Sequence, residues 1–425
     1  MLYFARGSKT DVITPAQVKE ILTQTFDKLG YKRRVLALPP DYTRANSYAG
    51  PITQMAYQYY GERLTDIMPA LGTHVPMTDQ ELDAMFGGIP HSLFRVHDWR
   101  NDVVTVGTVP AEYVAQQSEG RINEPWTAQV NKLLLDPGFD LILSIGQVVP
   151  HEVIGMANYN KNIFVGVGGA KGINLSHYLG ATYGMERIMG RADTPVRRVL
   201  EYASQHFTNN LPIVYIQTVL SKDSNGNMVL RGLFIGDDFE CFERAAKLSL
   251  ETNFIMVDKP IKKCIVYLDP AEFKSTWLGN KSIYRTRMAL ADGAELIVLA
   301  PALREFGEDP EIDRLIRKYG YKGTPATLKS VNENSDLRAN LGAAAHLIHG
   351  SSEGRFTITY CPGPAVSQKE IESVGFNYGN LDAIMAEYNI ANLKDGWNTK
   401  SNGEEFYYIS NPALGLWAHP DRFKD

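Results

Sequence analysis

The chain has 425 residues, a length that one hydrophobic core rarely accommodates, so we expect two domains. Its formal net charge is −5 with basic residues spread throughout, which argues against a nucleic-acid-binding protein. We expect no membrane span, since no stretch approaches ~18 consecutive apolar residues, and the start lacks a signal-like segment. Cys241, Cys264 and Cys361 lie far apart, which argues against disulfides and thiolate zinc sites. These features predict a cytoplasmic protein.

Short apolar, β-branched runs alternate along the chain with longer helical patterns. Thr14, Pro15 and Gln17 form a capping-box start for a helix over residues 15–29, and Thr78 with Glu81 marks another start. This alternation predicts an α/β fold with largely parallel sheets. The predicted strands cover residues 35–38, 67–71, 141–145, 163–167, 213–219, 230–235, 264–268, 296–300 and 356–360.

A proline and a cluster of charged residues at 257–263 mark the best domain boundary. We expect one α/β domain over residues 1–258 and a second over residues 259–425. Ligands of open α/β sheets bind beyond the carboxyl ends of the strands. A cleft between the two domains is therefore the expected active site.

Two polar loops follow predicted strands in the first part of the chain. Asp41, Thr43 and Arg44 come after strand 35–38, and Arg44 is suited to hold a carboxylate through two hydrogen bonds. A simple salt bridge between Asp41 and Arg44 is the alternative explanation. His74 follows strand 67–71; imidazole suits proton transfer near neutral pH, although a lone loop histidine more often has a structural role.

A third group of reactive side chains follows strand 141–145. His151 is followed by Lys161 ten residues later and by His177 after another sixteen. The Gly-Val-Gly-Gly run at 166–169 is neither a Walker motif nor GxGxxG, so a phosphate loop and a plain tight turn both stay open. Lys281 lies near a helix start beyond strand 264–268, where a solvated lysine is the ordinary alternative.

Taken together, in this order and spacing, these segments resemble the lactate racemase family, whose cofactor is the nickel-pincer nucleotide. That family has an Asp-x-Thr-Arg loop, then a Gly-x-His-type loop. A histidine follows, with a lysine ten residues on and a second histidine sixteen residues after that. A further lysine lies in its C-terminal domain. The resemblance covers most of the chain, including the layout of two domains.

The resemblance implies that the first domain binds the cofactor. Lys161 then corresponds to the lysine that attaches the pyridinium cofactor covalently through a thioamide. His177 corresponds to the fourth nickel ligand, beside two sulfurs and one carbon of the cofactor. Asp41 and Thr43 are expected at the cofactor site, with Asp41 as an orienting partner. The proteins that make the cofactor are implied as partners.

The resemblance also implies the reaction, which is inversion at C2 of a 2-hydroxy acid. His74 and His151 correspond to two acid/base histidines on opposite sides of the substrate. Arg44 and Lys281 correspond to the groups that hold its carboxylate. Reversible hydride transfer to the cofactor passes through a planar 2-keto acid and avoids a carbanion, so the cofactor carries the difficult step.

Three segments depart from the family. A Gly-Gly-Arg run precedes the family's lysine, whereas Tyr159 and Asn160 stand in the corresponding segment here. Residues 275–278 differ from a Tyr-Gln pair, and an expected tryptophan is replaced near residues 336–338. These changes put lactate in doubt as the substrate, and a larger, more polar pocket would suit a sugar acid such as gluconate or another longer 2-hydroxy acid.

Two other functions are compatible with parts of the sequence. A nicotinamide-dependent sugar-acid dehydrogenase would suit a two-domain α/β chain, but no strand is followed by GxGxxG with an acidic residue about 20 positions later. A non-catalytic ligand-binding relative is the other alternative. A pure binder has no need of two acid/base histidines, so their presence argues against it.

Overall fold

The computed structural model describes residues 1–223 and 226–423. They form two compact units. Unit 1 comprises residues 1–179 and 189–253; unit 2 comprises residues 180–188 and the chain from residue 254 onward. The division between residues 258 and 259 stays a prediction about the folding domains.

Unit 1 is built around a six-stranded sheet with helices packed against it. Its helices are α1 (Pro15–Leu29), α2 (Ala49–Tyr60), α3 (Asp79–Phe86), α4 (Ala111–Gln117), α5 (Ala170–Tyr183), α7 (Pro195–Phe207) and α8 (Phe239–Asn253). α5 continues into unit 2 from Gly180, and α6 (Met185–Ile188) belongs to unit 2. Its strands are β1 (Leu2–Gly7), β2 (Val35–Leu38), β3 (Leu64–Ile67), β4 (Val103–Val109), β5 (Trp126–Asn131), β6 (Leu141–Gln147), β7 (Pro150–His151), β8 (Gly155–Met156), β9 (Ile213–Lys222) and β10 (Met228–Gly236).

The order of strands in this sheet is β1-β10-β9-β6-β2-β3. The pairs β9–β6, β6–β2 and β2–β3 are parallel, whereas β1 and β10 run antiparallel to their neighbours. Parallel neighbours place their carboxyl ends at one edge of the sheet. The loops after β2, β3 and β6 therefore leave from the same edge, which is where the reactive side chains of the sequence lie.

Local signals explain where two of the helices begin. Thr14 accepts a hydrogen bond from the backbone N–H of Gln17, and the Gln17 side chain accepts one from the backbone N–H of Thr14. Thr78 and Glu81 form the same reciprocal capping box at α3. Both predicted helix starts are confirmed. The apolar sides of α1, α2 and α3 pack on one sheet face as a core that includes Phe26 and Ile52.

Unit 2 contains a second six-stranded sheet in the order β15-β14-β13-β12-β17-β16, parallel throughout except for the β16–β17 pair. Its helices are α9 (Thr276–Gly279), α10 (Lys281–Tyr284), α11 (Pro310–Tyr319), α12 (Thr324–Glu333), α13 (Ser335–Ala339), α14 (Leu341–His349), α15 (Gln368–Ser373) and α16 (Leu381–Tyr388). Its strands are β11 (Phe254–Met256), β12 (Ile261–Tyr267), β13 (Leu290–Ala300), β14 (Thr357–Pro362), β15 (Asn377–Tyr378), β16 (Gly396–Thr399), β17 (Glu405–Ile409) and β18 (Leu416–Ala418). The predicted α/β class with largely parallel sheets is confirmed.

Two predicted strands need correction. Residues 163–167 fall on a short π-helix, Asn162–Gly166, in which the Val167 N–H donates to the Asn162 carbonyl at 3.0 Å. The run is buried on all sides, and a buried helix and a buried strand show the same continuous apolar pattern. The strand expected at 67–71 begins and ends earlier, as Leu64–Ile67. Beyond it, the Met68 N–H donates one hydrogen bond to β2, and the Ala70 N–H donates one to the first of the two prolines that follow β2.

No helix in residues 1–223 and 226–423 combines the length and apolar character that crossing a bilayer requires. All three cysteines are buried and free.

Candidate active site

Asp41 and His74 form a hydrogen-bonded pair at the sheet edge. Asp41 follows β2, is 5% exposed, and its Oδ2 lies 2.6 Å from Nδ1 of His74. The Thr43 hydroxyl donates to the other carboxylate oxygen at 2.5 Å. Burial raises the pKa of Asp41, but His74, Thr43 and the charge of Arg44 together outweigh it, so the pKa lies below its usual value. Because a carboxylate can only accept, the contact holds a proton of His74 on Nδ1 and directs Nε2 away from Asp41.

The loop that carries His74 is fixed by its own backbone. Gly72 adopts a φ of 58°, and its N–H donates to the Gly166 carbonyl at 2.8 Å. The His74 N–H donates to the Leu71 carbonyl at 2.9 Å. These bonds join the loop after β3 to the π-helix, while the imidazole remains 46% exposed. His74 is therefore held in place and open to a ligand.

His151 is held differently from His74. It ends β7, which pairs with β8 in a small hairpin, and it is 8% exposed. The Val153 N–H donates to its Nδ1 at 3.1 Å, so the proton of the neutral ring is on Nε2. Burial and the positive charges of Lys161, Arg44 and His177 hold the pKa of His151 well below its ordinary value, against the opposing charge of Glu152. At neutral pH His151 is a neutral hydrogen-bond donor.

Lys161 stands directly before the π-helix that replaces the predicted strand. Asn162 anchors this helix to the sheet, since its side-chain N–H groups donate to the Leu38 carbonyl and the Ser144 hydroxyl, each at 3.0 Å. Burial, aided by the charges of Arg44 and Arg197, lowers the pKa of Lys161 to about 8 against the opposing Glu152 and Asp41. The lysine is thus an amine with a substantial neutral fraction.

The backbone before Lys161 keeps a conformation that glycine favours. Asn158 and Tyr159 have φ values of 66° and 58°, in the left-handed region. A left-handed non-glycine residue costs about 1–2 kcal/mol, so a tyrosine persists there only where its surroundings impose it. The Tyr159 ring lies parallel to that of Phe242, with centroids 5.3 Å apart and 17° between planes. This segment, in which the family has Gly-Gly, therefore carries larger side chains here but keeps the left-handed backbone conformation that glycine favours.

His177 lies in α5 with its two ring nitrogens in different states. Its Nδ1 is 2.7 Å from the Ile173 carbonyl one turn earlier, which can only accept a hydrogen bond, so Nδ1 carries the proton. The lone pair on Nε2 is left for a metal, as in many metal-bound histidines. Burial and the charge of Lys161 lower the pKa of His177, which favours the neutral, ligating form.

Glu152 is a site residue that the sequence reasoning missed. Its Oε2 lies 3.8 Å from Nδ1 of His151, and its charge acts on the pKa values of His151, Lys161 and His177. A carboxylate next to a candidate histidine was the available signal. The structure thus brings Arg44, His151, Lys161 and His177 into one electrostatic group with Glu152 among them.

The glycine-rich run owes its composition to close packing. A Cβ on Gly168 would lie 1.9 Å from the Phe164 carbonyl oxygen, and one on Gly169 would lie 2.5 Å from Oε1 of Gln129. Gly168 also accepts a hydrogen bond from buried His97 at 2.9 Å. A tight turn therefore explains these glycines without any phosphate.

Lys281 belongs to unit 2, at the start of α10. Its side chain is 11% exposed, and its Nζ lies 3.7 Å from Oε1 of Glu272 and 5.5 Å from the centre of the Phe273 ring. The expected role of Lys281 in holding the substrate carboxylate stays a prediction. In the same unit, Asp336 binds Lys318 and Tyr319, so the segment where a tryptophan was expected has a structural ion pair.

Comparison with known proteins gives a partial match in sequence and a full match in fold. Residues 11–187 match the lactate racemase N-terminal domain. This lactate racemase match includes Asp41, Arg44, His74 and the triplet from His151 to His177, whereas Lys281 lies outside it. No curated protein sequence matches the chain.

Two solved structures share the fold over nearly the full length. A protein from Thermotoga maritima has a TM-score of 0.81 and 23% identity, covering 96% of this chain and 98% of that one. The lactate racemase apoprotein from Thermoanaerobacterium thermosaccharolyticum has a TM-score of 0.70 and 16% identity, covering 97% of this chain and 94% of that one. At these identities the likeness establishes the fold.

Proposed function

We propose that this protein is a racemase or epimerase of the lactate racemase type, which inverts C2 of a 2-hydroxy acid with a nickel-pincer nucleotide held by Lys161 and His177. The observation that carries the proposal is this pair. A half-buried amine of lowered pKa and an imidazole with its Nε2 lone pair free are the two groups that such a cofactor requires of its protein.

The residues present fit the cofactor. At pH 7 an amine with a pKa of about 8 is roughly 9% neutral, against about 0.03% for an ordinary lysine, a gain of about 300-fold in the nucleophilic form. His177 offers one imidazole nitrogen, a ligand that suits nickel. Within the described residues, His, Cys, Asp and Glu side chains form no group of three suited to a metal. His177 would supply one ligand to a metal whose other ligands belong to the cofactor.

The bound cofactor would accept and return the hydride of C2. The protein's own task is to hold the substrate and move its hydroxyl proton. His74, with Nδ1–H bound by Asp41, presents Nε2 as a base for that proton. Arg44, which is exposed on the 3₁₀ helix after Asp41, would bind the carboxylate through its guanidinium.

His151 enters the reaction in a different state from His74. Its Nε2–H donates a hydrogen bond to the oxygen on C2 and stabilises charge there. To take a proton itself, His151 has to give up the Val153 N–H at Nδ1. The two histidines, which the sequence treats as equivalent, are thus unequal in their proton positions, with His74 the ready base.

A longer, polar 2-hydroxy acid such as gluconate is the proposed substrate class. Glu152 supports this choice, because a carboxylate beside His151 offers an acceptor for additional hydroxyl groups and repels a second acidic group. Lactate has only one hydroxyl and gains nothing from this acceptor.

The test is a panel of single-enantiomer 2-hydroxy acids incubated in D₂O with protein co-produced with the cofactor-making enzymes. Chiral chromatography follows inversion, and mass spectrometry follows deuterium at C2. We expect inversion of a sugar acid with C2 retaining its original hydrogen, because hydride transfer bypasses the solvent. Deuterium at C2 of the product would contradict hydride transfer, and NADH formation in a parallel incubation with added NAD⁺ would favour the dehydrogenase.

A further inference from the structure

Arg197 is a fully buried arginine whose hydrogen bonds go to one short segment. It lies in α7, is 1% exposed, and its guanidinium sits 4.2 Å from the centre of the Phe242 ring. Its Nη2 donates to the Met156 carbonyl at 2.7 Å and its Nη1 to the Asn158 carbonyl at 3.3 Å. A third bond, also from Nη1, goes to Oδ1 of Asn160. A buried charge requires such partners, and here they all come from residues 156–160.

These acceptors lie on the segment that leads into Lys161. Asn158 and Tyr159 are the two consecutive left-handed residues, and a pair of this kind relaxes unless something imposes the conformation. The carbonyls that Arg197 binds lie before and within this pair. The fork of the guanidinium matches two carbonyls that a single ammonium could not bind in the same geometry.

α7 holds the end of the segment as well. Asn160, which is completely buried, donates through Nδ2 to Oε2 of Glu201 at 3.0 Å and to the Ser204 hydroxyl at 3.3 Å. Arg197, Glu201 and Ser204 are spaced four and three residues apart and share one helical face. One face of α7 therefore fixes the backbone up to the residue before Lys161.

We propose that Arg197 is a positioning residue, which clamps residues 156–160 in their left-handed turn and thereby aims the amine of Lys161 into the site. The functional meaning of this clamp rests on the proposed role of Lys161 as the attachment point. The clamp itself concerns the unloaded protein and is tested there.

The experiment measures the rate at which Lys161 of unloaded protein is acetylated by a limiting amount of acetic anhydride between pH 6 and 10, by peptide mapping. Arg197→Lys keeps the charge and loses the fork; Arg197→Met loses both. Arg198→Met is the matched control, since Arg198 is a half-exposed neighbour on the same helix that pairs with Asp193. In both Arg197 variants we expect Lys161 to be acetylated at least about tenfold more slowly than in the wild type at pH 7. Release of residues 156–160 would let the amine move toward solvent and its pKa rise toward the ordinary value, and the neutral fraction falls about tenfold for each unit of that rise.

A second substitution separates positioning from general stability. Asn158→Gly supplies left-handed backbone without strain, so adding it to Arg197→Lys should restore much of the Lys161 rate. Wild-type rates in Arg197→Lys, or no recovery on adding Asn158→Gly, would overturn the proposal. If Arg197→Met does not fold, the comparison of Arg197→Lys with the Arg197→Lys, Asn158→Gly double variant provides the test. Failure of the proposed function would be seen separately. Lys161 would then gain no cofactor mass, whereas the acetylation rates of the unloaded variants would still differ as expected.

Discussion

The lowered pKa of Lys161 should make the free energy of unfolding depend on pH. Its pKa is about 8 in the folded chain, against 10.5 as its ordinary value. Below pH 8 the folded state must hold a charge that burial disfavours. Between pH 8 and 10.5 the unfolded chain binds more protons than the folded one, so stability rises with pH across this window. The full difference corresponds to about 3 kcal/mol, an upper limit because the side chain is partly exposed.

Lys161→Met removes this titration while keeping a side chain of similar length. Relative to the variant, the wild-type unloaded protein should gain about 2 kcal/mol in its free energy of unfolding between pH 7 and pH 9.5, the part of the window that is accessible in solution. The assay is urea unfolding followed by circular dichroism at several pH values. The absolute offset between the two proteins reports packing, whereas the change with pH reports the amine.

Lys171→Met is the matched control, because Lys171 is an exposed lysine in the first turn of α5. Its stability should run parallel to that of the wild type over the same pH range. Parallel curves for Lys161→Met and the wild type would refute the reasoning, since Lys161 would then titrate alike in the folded and unfolded chains.

Three other variants test separate parts of the site. Asp41→Asn should lower turnover by about 10²–10⁴-fold while the cofactor stays attached, because the proton of His74 is no longer fixed on Nδ1; chiral chromatography and intact mass measure the two effects, and unchanged turnover would contradict the pairing. His177→Ala should keep the covalent mass on Lys161 but lose nickel faster than the wild type during dialysis against a chelator, because only the cofactor's own donors would remain; equal nickel retention by metal analysis would remove His177 as the ligand. Asn162→Ala should lower the free energy of unfolding by about 1–3 kcal/mol through two lost buried hydrogen bonds, and an unchanged urea midpoint would argue against that anchor.

Local sequence signals predicted the elements that depend on local chemistry. The capping box at Thr14 and Gln17 fixes the start of α1, and a short apolar run ending in two prolines fixes β2. Parallel strands then bring the loops after β2, β3 and β6 to one edge. That the loops carrying Asp41, His74 and His151 leave from one edge was therefore predictable once the sheet was.

Features that depend on tertiary contacts escaped prediction. The π-helix at Asn162–Gly166 has the same apolar pattern as a buried strand, and only the side-chain bonds of Asn162 identify its path. The unequal states of the two histidines come from one backbone N–H and one carboxylate. Arg197 is 36 residues beyond Lys161 in sequence, so nothing local connects them.

The most direct test of the account is the intact mass and nickel content of this protein when it is co-produced with the enzymes that make the nickel-pincer nucleotide. We predict a covalent mass increase that peptide mapping places on Lys161, with about one nickel per chain, the number that a single His177 ligand supports. An unmodified mass without nickel, from cells in which a known lactate racemase becomes loaded, would contradict the assignment of Lys161 and His177 and with it the proposed reaction.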